Sequence, residues 1–118
     1  MEYVTIDIGL IDQLRELIGG DKAALLELIE TFIEEGADIV VQCHDASDNA
    51  DLELLRRSAH SLKSSAQDFG ASELSTYCAT LEVACKQSWP DDAVEQVQVI
   101  EKEYQRAATE LRHYLDNA

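Results

Sequence analysis

An all-α protein, an antiparallel up-down four-helix bundle with a short accessory N-terminal helix, is the fold this sequence predicts. Three observations lead there. The 118 residues include one proline and five glycines, too few for the many turns of a sandwich or barrel. Apolar residues recur at steps of three and four along most of the chain, which is the spacing of one helical face. Short breaker stretches separate the segments so marked, and short connections make neighbouring helices antiparallel. The length fits one domain, residues 1–118, large enough to bury a core without staples.

Each element has its own justification. A first helix covers about Ile8 to Ile18 and stops at the breaker pair Gly19-Gly20. Asp21 caps a long second helix running to about Ala46, whose Leu25, Ile29, Phe32, Val40 and Cys43 share a face. Ser47-Asp48-Asn49 turns the chain, and Asn49 or Asp51 caps a third helix, Leu52 to Phe69. Gly70 suits the left-handed residue that ends it. Ser72 opens a fourth helix, 72–87, with Leu74, Cys78, Leu81 and Cys85 inward. Ser88-Trp89-Pro90 interrupts, and Pro90 is placed just before or at the start of a fifth helix, 91–115. That helix carries Val94, Val97, Tyr104, Ala108, Leu111 and Leu115; Glu101 breaks its stripe and Ile100 fills the level instead.

Composition excludes several function classes. Twenty-four acids against nine bases give a net charge of -15, a field that repels nucleic acid and anionic membrane. No signal peptide opens the chain, and no apolar run approaches the ~18 residues of a membrane span. Cys43, Cys78 and Cys85 are odd in number and lack C-x-x-C spacing, so they read as small core hydrophobes rather than a disulfide or zinc set. A cytoplasmic, monomeric domain is expected. A start at Met1 and an end soon after the last helix read as a free-standing protein, and a terminal domain of a hybrid kinase would read the same way.

The third helix holds the chemistry. Leu55, Ala59, Leu62, Ala66 and Phe69 fall within about 80° on a helical wheel, so they form the core face. His60 lies about 140° from Leu55, among Arg56, Lys63, Ser64 and Gln67, and therefore faces solvent from a rigid mid-helix position. Ser61, Ser64 and Ser65 are small enough for another protein to approach the ring. No acid occurs from Leu54 to Gln67, whereas Arg56, Arg57 and Lys63 do. Such a window attracts an anion and disfavours a further positive charge on the imidazole, keeping a nitrogen lone pair free. A neutral imidazole is a nucleophile, and a phosphoryl group placed on it would have Lys63 within reach of its oxygens.

The stretch A-H-S-L-K-S-S-A-Q-D-F-G-A, Ala59 to Ala71, resembles the signature of histidine-containing phosphotransfer (HPt) domains, roughly H-x-L-K-G-[SA]-[SA]-x-x-x-G-A. The resemblance implies a phosphorelay intermediate. His60 would accept a phosphoryl group from a receiver-domain aspartate and pass it to another. Leu62 matches the core leucine, Lys63 the lysine that helps hold the phosphoryl group, Ser65 a small polar position and Gly70 the helix-ending glycine. Ala71, Leu74 and Glu82 continue the agreement. Ser64 stands where a glycine is common, which firms the helix and leaves the chemistry alone. Gln67, one turn beyond Lys63, offers a further hydrogen bond.

By the same resemblance the chain is a phosphocarrier without kinase activity of its own. It needs no cofactor, with Mg²⁺ expected on the partner receiver. The implied partners are response-regulator receiver domains and a hybrid sensor kinase. No G-x-x-x-x-G-K-[ST] or G-x-G is present to bind ATP. Docking is expected on Arg56, Ser64 and Ser65 together with a second apolar stripe of the second helix, Leu26, Ile33, Ala37 and Val41. The first helix, through Leu10, Leu14 and Leu17, competes to cover that stripe. The alternative is an HPt-like module that docks and regulates a receiver or kinase without carrying phosphate. A metal site on His44, His60 and His113 is disfavoured because their spacings match no ligand motif. His44 reads as a helix-end histidine, His113 as solvated surface, and Trp89 as an aromatic closing one end of the bundle.

Overall fold

The computed structural model describes residues 3–117 and contains five helices: α1 Ile8–Leu17, α2 Lys22–Asp48, α3 Leu52–Asp68, α4 Ser72–Ala84 and α5 Ala93–Asp116. α2 packs on α3 and α5, and α4 packs on the same two, so the four long elements close a ring around one core. At 1.5 Å per residue the 27 residues of α2 span about 40 Å, which accounts for the 45 Å long axis.

Aspartates start the first three helices. Asp7, Asp21 and Asp51 each accept backbone N–H bonds in the first turn, satisfying donors that would otherwise be orphaned. α3 ends as its glycine predicts: Gly70 has φ +70°, Ala71 N–H donates to Ala66 O at 2.9 Å, and Gly70 N–H donates to Gln67 O. A second constraint holds the same glycine. The Asp7 backbone N and O lie 3.1 and 3.2 Å from where a Cβ would stand, closer than ordinary van der Waals contact, and Asp7 N–H donates to Gly70 O at 2.9 Å. This turn folds α4 back along α3 and thereby sets which of its residues reach the site.

Three helix limits differ from expectation: α2 runs on to Asp48, through two residues of the expected turn, and the other two lie between α4 and α5. α4 ends at Ala84 rather than Gln87, and α5 begins at Ala93 rather than Asp91. Lys86, Gln87 and Ser88 are all exposed, so no apolar face rewards another turn. Pro90 also biases Trp89 away from helix, and its carbonyl is used in a turn that accepts from Ala93 N–H. Trp89 packs against the core edge, as a closing aromatic should.

The core is the expected one with a few exchanges. Leu55, Ala59, Leu62 and Ala66 of α3, and Leu74, Cys78, Leu81 and Cys85 of α4, are buried. Burial pushes the Cys43 and Cys78 thiols up to about 12, so they pack and do not react. On α5, Val97 and Ile100 are inward, but Val94 is exposed because Ala93 takes the inward place in the first turn. Gly36 of α2 leaves the space that the Tyr104 ring fills, and the Tyr104 hydroxyl donates to Ile33 O. Phe32 packs against both Tyr104 and Phe69.

The N-terminal segment is strapped to α5. The buried Glu110 carboxylate accepts N–H bonds from Val4, Thr5 and Ile6, at 2.9–3.1 Å. α1 then crosses one end of the bundle, burying Ile11, with Asp12 accepting from the Tyr114 hydroxyl at 2.8 Å. It does not cover the outer stripe of α2 through Leu17, which is 84% exposed. α1 does meet α2, and Leu10 and Leu14 are half-buried there, so only the Leu17 part of the expected cover is missing.

Candidate functional site

His60 projects from the middle of α3, on the side away from Leu55, Ala59 and Leu62, and its side chain is 58% exposed. The backbone below it is fixed by the buried stripe, so the ring is presented from a rigid support. The Gly70 turn brings α4 alongside, and Glu82 arrives directly beneath the imidazole. Its Oε2 lies 2.6 Å from His60 Nδ1, and its Oε1 accepts from Lys63 Nζ at 2.6 Å. One carboxylate thus ties the histidine to the lysine one turn on.

The electrostatics follow from that geometry. The bond from the Lys63 ammonium is the largest influence holding the Glu82 carboxyl below its ordinary range, and the bond from His60 adds to it. Desolvation opposes them, since Glu82 is only 8% exposed. An ionised carboxylate can only accept, so Nδ1 carries a proton in this bond, and in the neutral ring the lone pair then lies on Nε2. Nε2 makes no hydrogen bond to the described residues.

This corrects one expectation. The acid-free window is a property of α3 alone; in space, α4 supplies a carboxylate at the ring, so the field there is not purely cationic. Glu82 is the functional residue that sequence reasoning left without a role. The signal was an acid on an otherwise inward line, four residues after Cys78 and three before Cys85. A carboxylate held there must find partners across the interface.

The remaining predicted residues divide. Lys63 joins the network. Arg56 is near but engaged, its Nη2 2.6 Å and Nε 3.2 Å from the Glu53 carboxylate one turn earlier. Arg56, Arg57, Ser58, Ser61 and Gln42 line a shallow depression beside His60, and the Ser58 hydroxyl donates to Gln42 Oε1. Ser64 and Gln67 are exposed on the same face and Ser65 is half-buried. Val41, 57% exposed, and Ala37, also exposed, stand at the level of Gln42. Ile33 does not belong to an open docking stripe: it is buried, and it meets Leu115 and Arg112 in the groove between α2 and α5. Leu26 is exposed but lies 15 residues before Val41, about 22 Å farther down the helix, away from His60.

The other histidines are placed differently from expectation. His44 does not serve a helix end; its Nε2 lies 2.8 Å from Glu101 Oε2, which links α2 to α5 and explains the acid in that stripe. His113 is half-buried with its ring against Tyr3. Among the described residues no group of three or more His, Cys, Asp or Glu is arranged to hold a metal ion. Among the described residues no helix is long and apolar enough to cross a membrane.

A helical bundle that displays one imidazole, oriented from beneath by a buried carboxylate and flanked by an ammonium, defines a histidine phosphotransfer class of protein. The Hpt domain model matches residues 27–116, and the chain belongs to the Hpt family. Its role is accordingly that of a phosphocarrier in a two-component phosphorelay, working with response-regulator receiver domains and having no independent catalytic activity. The fold is shared with histidine-containing phosphotransfer protein B (HptB) from Pseudomonas aeruginosa PAO1. That crystal structure matches with a TM-score of 0.90 and 21% identity, over 99% of each chain. No curated protein matches the chain.

Proposed function

We propose that His60 Nε2 is the phosphoryl acceptor, and that Glu82 and Lys63 are the residues that ready it and hold its product. The observation that carries this is the 2.6 Å bond between Nδ1 and Glu82 on a ring 58% exposed. With Nδ1–H donating, the Nε2 lone pair attacks the phosphorus of a receiver's aspartyl phosphate. The P–N bond forms as the P–O bond to the aspartate breaks, and the aspartate leaves as a carboxylate. The ring then carries both N–P and N–H and is positively charged, a charge that the Glu82 carboxylate neutralises from below. No proton has to move, so the reverse transfer to a second receiver runs through the same arrangement.

Lys63 Nζ has three protons and uses one on Glu82, so the others can meet phosphoryl oxygens. Mg²⁺ belongs, in this reading, to the partner receiver, where it offsets charge on the transferring group. The receiver docks on the exposed face around His60, with Ser64 and Ser65 permitting close approach and Ala37 and Val41 offering apolar contact. A hybrid sensor kinase as donor, a cytoplasmic location and a monomeric state complete the proposal. The charge of -15 supports the last of these, since it opposes self-association. The His60–Glu82–Lys63 network favours a phosphate carrier over a binding-only module, which would need none of it.

The test mixes the purified chain with a phosphorylated receiver. Label that appears on this chain, is acid-labile and base-stable, and vanishes in His60→Gln is the expected result. Label that persists in His60→Gln overturns the assignment.

A further inference from the structure

We infer that Arg56 is a second phosphoryl-holding residue, kept by Glu53 until the phosphoryl group arrives. The inference rests on His60 being the acceptor and adds to it a residue, Arg56, and a competitor, Glu53. Lys63 is committed to Glu82, a buried carboxylate that also holds the ring, so moving its ammonium fully onto a new anion would undo the orientation of the imidazole. Arg56 is under no such constraint. It sits four residues before His60, so the two side chains are neighbours on one helical face, and both line the same depression.

The two ion pairs differ in environment. Glu53 is 61% exposed, in contrast to Glu82, and pairs of exposed charges are weakly held. A phosphoryl group bears up to two negative charges on three oxygens, and its geometry matches the guanidinium fork, so it outcompetes a single solvated carboxylate. Arg57 reaches Glu53 at 3.8 Å and is more exposed than Arg56, which leaves Glu53 a partner after Arg56 departs. In the resting protein, therefore, the cation near the nucleophile is neutralised. On phosphorylation it turns from Glu53 to the new anion.

The experiment uses phosphoramidate as the donor, so no receiver is needed: its P–N bond breaks, ammonia leaves, and the phosphoryl group joins His60. The phosphoryl group is then titrated by ³¹P NMR. A guanidinium against it favours the dianion and lowers its second pKa. Arg56→Gln is expected to raise that pKa by roughly half a unit or more, from an ordinary value near 6. Arg56→Lys should recover part of the shift, and Arg57→Gln, which leaves Glu53 with Arg56 alone, should shift the titration in the same direction as Arg56→Gln but by less. Glu53→Gln, which removes the competitor, should move the titration the opposite way. A merely structural Arg56 would change melting temperature without moving this titration. An Arg56→Gln titration equal to wild type overturns the inference, and a Glu53→Gln titration equal to wild type overturns the exchange. A wild-type protein with no signal dependent on His60 overturns the functional proposal as well, whereas a His60-dependent signal indifferent to Arg56 overturns this inference alone.

Discussion

Replacing Glu82 by Gln isolates what a charge beneath the imidazole contributes. The side chain keeps its size and one acceptor oxygen, but it loses the negative charge facing both His60 Nδ1 and Lys63 Nζ. When Nε2 takes a phosphoryl group the ring becomes cationic, with the centre of that charge about 4 Å from the carboxylate. At that separation the attraction is about 4 kcal/mol at the effective dielectric of a protein surface and about 1 kcal/mol in water. The ring is 58% exposed and Glu82 is not, so the real site lies between the two limits. A value of about 2 kcal/mol corresponds to a transfer roughly 30-fold slower. Single-turnover transfer from a phosphorylated receiver, followed by rapid quench, measures this directly, with circular dichroism to show that the bundle remains. A rate within twofold of wild type would refute the role given to Glu82. The substitution also has a signature in stability against pH. Because the folded-state carboxyl titrates below its unfolded value, its contribution is fully present above pH ~4.3 and is lost as pH falls through the lower folded value. Wild type should therefore exceed Glu82→Gln in stability at neutral pH, and the gap should close in acid.

Two further outcomes test the scaffold. Gly36→Ala puts a Cβ into the Tyr104 ring; overpacking of this kind costs about 1–3 kcal/mol, more than the ~1 kcal/mol that alanine gains in a helix. Thermal melts should show a Tm several degrees lower, and a rise in Tm would show that the ring does not need that space. Ala50 has φ +51° where α2 turns into α3, with Asp51 N–H donating to Ala46 O at 2.9 Å. Glycine suits that backbone, so Ala50→Gly should stabilise by about 0.5–1 kcal/mol, and a loss of stability on chemical denaturation would contradict the strain.

The sequence made the bundle readable because its signals are local. Leu55, Ala59, Leu62 and Ala66 repeat on one face, so the outward position of His60 follows from helical rotation without knowledge of any neighbour. Gly70 was legible for the same reason, since a left-handed C-terminal residue is specified within one turn. What could not be read was the pairing across helices. Glu82 lies 22 residues from His60, and only the register of α4 against α3 makes them partners. The misplacement of Ile33 has a related cause. A stripe on α2 can be drawn from spacing, but whether α5 covers it depends on Leu115, which is remote in sequence. The ends of α4 and α5 were misjudged because a proline excludes helix at its predecessor without stating how far the disruption extends.

His44 offers an internal comparison that identifies what matters at His60. It too is a partly exposed imidazole with one nitrogen bonded to a carboxylate, at 2.8 Å from Glu101. An imidazole with one nitrogen bonded to a carboxylate is therefore not enough to set a phosphotransfer site apart, because this chain has built it twice. The surroundings differ in sign. Asp45 and Asp48 flank His44 in sequence, with Glu101 across from it, whereas His60 has Arg56 one turn before and Lys63 one turn after. A phosphoryl group transferred to His44 would meet the Glu101 carboxylate, and one transferred to His60 would meet two cations whose present partners are carboxylates. Nucleophilicity can come from any oriented imidazole. Tolerance of the product's charge requires cations, and in so acidic a chain three of the nine bases, Arg56, Arg57 and Lys63, stand within four residues of His60.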